Sequence, residues 1–135
     1  MRPTSFTSLC MNWKKVRLEL APMEKFPRGS ASRAYLLHVP LNEAGRIDCA
    51  ALQRNPSMAT VRRFWPSQAD DFGHIVKADG AWSFRCGRHK CAQAVFRFGR
   101  GALELGRQVT IEARDGGCLR FRVASVTQLG ASPAL

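Results

Sequence analysis

Residues 109–126 read VTIEARDGGCLRFRVASV, and this stretch decides the fold class. Val109, Ile111 and Ala113 alternate with Thr110, Glu112 and Arg114; beyond Asp115-Gly116-Gly117, Leu119, Phe121 and Val123 alternate with Arg120, Arg122 and Ala124. A period of two belongs to strands with one buried face, so the two runs predict an antiparallel hairpin. With both apolar sets on one face the loop must be odd. A three-residue loop, Asp115 to Gly117 with Gly117 in the left-handed conformation, predicts Ile111 opposite Phe121 and Ala113 opposite Leu119. That register sets Glu112 against Arg120 and Thr110 against Arg122, leaving an outer face with surplus positive charge.

The same alternation recurs upstream. Lys15 to Leu20 buries Val16, Leu18 and Leu20 and ends at Pro22, and residues 22–33, PMEKFPRGSASR, read as a long surface loop. Tyr35, Leu37, Val39 and Leu41 alternate through a second strand, in which Pro40 marks an edge or the strand's end. His38 on its other face reads as a plain strand histidine. Met58 to Trp65 is a third strand, followed by a loop from Pro66 to Gly73. His74 to Ala78 and Trp82 to Arg85 flank Asp79-Gly80-Ala81 as a second hairpin, with Val76 and Ala78 expected to face Phe84 and Trp82. Phe96-Arg97-Phe98 is a further short strand.

One helix interrupts this pattern. Asp48 is placed as its N-cap, Ile47 and Leu52 have the spacing of a hydrophobic staple, and Pro56 ends it. The predicted class is therefore α+β, mainly β: a bent antiparallel sheet or small barrel-like roll of seven or eight short strands with one short helix. Residues 1–13 and 129–135 are read as tails around a single domain over 14–128. A chain of 135 residues buries roughly two thirds of its unfolded surface, enough for one core.

Charge is the outlying feature of the composition. There are 21 basic and 10 acidic residues, a formal net charge of +11, and the excess lies in residues 1–33 and 85–122 rather than in the middle. A field of this sign attracts polyanions whatever the fold. The first functional expectation is a non-catalytic binding module whose basic face engages nucleic acid or an acidic protein. Arg62, Arg63, Arg97, Arg114, Arg120 and Arg122 are its candidate anion contacts and Trp65 its candidate stacking platform. A second is a protein-interaction module using an open sheet edge or the 22–33 loop, with incidental charge.

A third expectation rests on Cys86, His89 and Cys91, thiolate and imidazole ligands of the kind zinc takes, although a second ligand pair at recognised spacing is missing. The glycines sit at turns, and the sequence contains no nucleophile elbow, phosphate-cradling loop, zinc-protease helix or dinucleotide fingerprint, which leaves an enzyme the least supported class. Five cysteines, an odd count at irregular spacing, point to reduced thiols and a cytoplasmic setting. No apolar run approaches the ~20 residues needed to cross a bilayer.

The segments KKVRLELA, FPRGSASRAYLLHVPLNEAGRID, TVRRFWP and AVFRFG, with LGRQVTI, DGG and FRVASV after them, run from Lys15 to Val126. As a set they resemble a group of small uncharacterised proteobacterial proteins. The resemblance implies one compact domain in a bacterial cytoplasm and carries no activity. In that group the loop after Phe84 looks acidic, whereas here it runs Arg85-Cys86-Gly87-Arg88-His89-Lys90-Cys91.

Overall fold

Alternating apolar positions on eight strands generate a single sheet that closes on itself. The computed structural model describes residues 12–78, 81–86, 94–97, 102–113 and 117–128. Its strands are β1 (Trp13–Leu20), β2 (Ser30–Pro40), β3 (Thr60–Phe64), β4 (Asp71–Ala78), β5 (Ala81–Cys86), β6 (Ala94–Arg97), β7 (Gln108–Ala113) and β8 (Cys118–Gln128). Each pairs antiparallel with the next in sequence, and β8 returns to pair with β1, making an up-and-down barrel. The expected β-rich roll is thus a closed barrel, and its described strands leave no open edge of the kind strand addition requires.

Side chains fill the interior. Val16, Leu18, Leu37, Val39, Val61, Phe84, Phe96, Phe121 and Val123 are all buried there, around Tyr35. The Tyr35 ring meets Phe84, Phe96 and Phe121 edge to face, with centroids 6.3, 5.3 and 5.3 Å away. Such geometry brings each positive ring edge to a neighbouring π face and adds to the energy of burial.

One end of the barrel is covered by the connection from β2 to β3. This connection carries the helix α1 (Cys49–Arg54), whose N-cap Asp48 accepts a hydrogen bond from Ala51 N at 3.1 Å. Cap and staple fall where the sequence puts them: Leu52 joins the buried cluster and Ile47 packs against it. Leu103 joins the same cluster, tied down by its N–H donating to Gly45 O at 2.8 Å.

Several expected boundaries and registers change. β1 begins at Trp13, only 3% exposed, so the core reaches into the segment read as a tail. β2 begins at Ser30, and residues 31–33 form a bulge between the Glu19↔Ala34 and Leu20↔Ser30 pairs, which shortens the expected loop. Pro40 does end its strand. β3 starts at Thr60, after a 3₁₀ turn over Pro56–Met58.

In the closing hairpin Ile111 lies opposite Leu119, and Phe121 opposite Val109. The parity is as expected but the register is displaced by two residues, because alternation fixes faces and leaves the loop length open. Arg120 therefore faces Thr110, and Glu112 faces Cys118. The β4–β5 hairpin differs in parity itself. Ile75, not Val76, faces Phe84, and Ala78 pairs with Ala81. The adjacent apolar residues Ile75 and Val76 carry no alternation, so burial of the larger side chain decides.

Candidate basic face

Alternation along the strands sends most of the charged residues outward and most of the apolar ones in. On the outer surface the pairings place Lys15, His38, Thr60, His74 and Arg85 side by side across β1 to β5. A parallel row runs Arg17, Leu36, Arg62, Phe72 across β1 to β4. Outward charge with an apolar interior is the inverse of barrels that cross membranes, which carry an apolar band outside. No helix among the described residues is long and apolar enough to span a bilayer.

Closure of the barrel brings the two basic ends of the chain together. β8 lies beside β1 with Arg122 opposite Glu19 and Ser125 opposite Arg17. Glu19 already accepts a hydrogen bond from Arg17 Nε at 2.8 Å. One carboxylate thus sits at the seam, bonded to Arg17 and in strand register with Arg122, and Arg120 follows along the same exposed face of β8. Among the described residues Lys15, Arg62 and Arg85 form no ion pair.

Phe72 is the unusual member of this surface. It is 52% exposed, lies directly opposite Arg62 with that guanidinium 5.5 Å from its ring centre, and has the His74 ring 6.4 Å away. His38 shares a hydrogen bond with Thr60 Oγ1 at 3.1 Å. Partial burial holds its pKa below the ordinary histidine value, and the positive charges of Lys15 and Arg62 push it the same way. The imidazole is therefore neutral at pH 7 and sits among fixed cations.

The residues picked from the sequence separate into groups. Arg62 belongs to the face just described, and Arg120 and Arg122 extend it beyond the seam. Arg63 points to the barrel mouth instead, 11% exposed, donating to Gln68 Oε1 at 3.0 Å and lying 3.5 Å from Asp71. Its guanidinium covers the Trp65 ring at 4.3 Å, and Trp65 packs on the core beside Phe121. Arg33 stands between Phe26 and Trp65, 4.2 and 5.8 Å from their ring centres. Trp65 thus already has cationic partners, and Phe72 is the more open ring.

Arg97 is in backbone register with Thr110, which in turn faces Arg120; the Arg97 side chain lies outside the described residues. Arg114, His89, Cys91 and the Cys86 side chain do so as well. Among the described residues no three His, Cys, Asp or Glu side chains gather in a metal-binding group. A groove of about 370 Å³ beside Arg120 is lined by Pro22, Met23, Thr110, Cys118 and Leu119.

Lys15, Arg17, His38, His74, Arg85 and Phe72 escaped the sequence reading as site residues. The parity of Phe72, His74 and Val76 against Gly73 and Ile75 was the available signal for the ring. Comparison with protein-family models, with curated proteins and with solved structures finds no match to this chain.

Proposed function

We propose that the chain is a non-catalytic binding module of the bacterial cytoplasm whose basic outer face engages a polyanion, with nucleic acid the favoured class. The observation that carries this reading is the meeting of both basic ends at the β1–β8 seam, beside Lys15, Arg17 and Arg62 and with Glu19 as the intervening carboxylate. Spread over a sphere, the surplus would serve solubility. Gathered across adjacent strands about 4.8 Å apart, it creates a local field that releases counterions when phosphates replace them.

The test is a titration of labelled single- and double-stranded RNA and DNA against the protein over a salt series. Micromolar or tighter affinity falling linearly with log salt is expected. Absence of binding at low salt would reduce the charge to a solubility feature and turn the search to protein partners.

A further inference from the structure

We infer that the ligand of the basic face is a single-stranded nucleic acid with one base stacked on Phe72. This rests on the polyanion reading above and adds what charge alone does not specify. A ring that is half exposed on a sheet surface leaves apolar area in water. Phe72 occupies that position beside Arg62 and His74, with Arg85 facing His74 on the next strand.

A phosphate chain satisfies the cations, and in a nucleic acid it carries the base that covers the ring. Duplexes keep their base faces inside the stack, whereas a single strand presents them. The row from Lys15 to Arg85 crosses four strand spacings, about 19 Å, within reach of a single-stranded site of ~4 nucleotides. Asp70, two residues before Phe72, is exposed, and its carboxylate repels phosphate. The proposed arrangement has the base on Phe72 and its flanking phosphates toward Arg62, Lys15 and Arg85.

The experiment uses the full chain, a fluorescein-labelled oligothymidylate of about twelve nucleotides, and three unlabelled competitors: inorganic polyphosphate, polyglutamate and a duplex of similar charge. A second oligonucleotide carrying 2-aminopurine reports stacking through quenching of its fluorescence. The expected result is that the single strand outcompetes all three. Phe72→Ala should weaken oligonucleotide binding about 10-fold and abolish the quenching while leaving polyphosphate affinity unchanged, and Phe72→Trp should restore both. Circular dichroism confirms that the variants fold.

Equal competition by polyphosphate or polyglutamate, with no effect of Phe72→Ala, would overturn the base-stacking inference and leave the basic-face reading standing. Failure of the wild-type chain to bind either the oligonucleotide or polyphosphate at low salt would overturn both.

Discussion

Arg62 on β3 and Phe72 on β4 are cross-strand partners, the guanidinium lying 5.5 Å from the ring centre. At an exposed site such a contact is worth ~0.5–1 kcal/mol. Arg62→Ala is therefore expected to change stability little, yet to lower the salt slope of polyanion binding by about one. Arg62→Lys keeps the charge and should keep the slope. Equal slopes for wild type and Arg62→Ala would remove this residue from the contact surface.

Gly29 and Gly106 make a controlled pair for backbone strain. Both have positive φ, +76° and +84°, but a Cβ on Gly29 would come within 2.5 Å of Leu20 O, while one on Gly106 would meet nothing within 4 Å. Gly106→Ala should pay only the left-handed penalty of ~1–2 kcal/mol. Gly29→Ala carries that cost and must also displace backbone at the β1–β2 turn, so its urea midpoint should fall further. Equal shifts in the two variants would mean that this turn relaxes freely.

Tyr35 is the chain's single tyrosine, so its ionisation can be followed by ultraviolet difference absorbance without assignment. Burial pushes its pKa above the ordinary value, opposed by the nearby Arg63 guanidinium and assisted by the Asp71 carboxylate. The folded state therefore holds the phenol proton more tightly than the unfolded chain does. Its contribution to stability is complete below the unfolded value of ~10 and is lost as pH rises from there through the folded value. Alkaline denaturation should begin in that window and be blunted in Tyr35→Phe, which keeps the ring packing. Titration at the ordinary tyrosine value in the folded protein would contradict it.

His38 works in the opposite sense at the acid side. Its pKa is lowered by burial first and then by Lys15 and Arg62, so the folded state binds its proton less readily than the unfolded chain. The stability involved is intact above ~6.5 and declines as pH falls below that value toward the folded pKa. A bound polyanion neutralises Lys15 and Arg62 and should raise the His38 value. Binding should then strengthen between pH 7 and 6, an effect reduced in His38→Gln, which leaves His74 on the same row. Proton NMR of the histidine ring with and without polyphosphate checks the sign directly.

What the sequence made legible is the local part of the fold. Val16 and Leu18, Leu37 and Val39, and Phe121 and Val123 declare their faces through alternation, and Asp48, Ile47 and Leu52 declare the helix through capping chemistry. What it withheld depends on pairings between segments. The juxtaposition of Arg62 and Phe72 requires the β3–β4 register, and the meeting of Arg17, Glu19 and Arg122 requires closure between strands at opposite ends of the sequence. Trp13 was hidden for a related reason. It precedes the alternating run of β1, and it is buried where it pairs with Pro40 at the far end of β2.

Closure has one more consequence. Lys14 and Gln128 are strand partners, so the main chain returns to within about 5 Å of its first strand. A ring of hairpins joined in this way has no intrinsic first member; the order of strands around it is fixed, while the place where the chain is cut is not. Linking residue 13 to residue 128 through a short peptide and opening the exposed turn at 66–69 would preserve every neighbour relation, making the β1–β8 pairing local and the β3–β4 pairing the distant one. Because distant pairings are what slow the folding of β proteins, and the four partner pairs of β3–β4 are fewer than the seven of β1–β8, the permuted ring should reach the same structure faster, with its basic belt unbroken across the former seam.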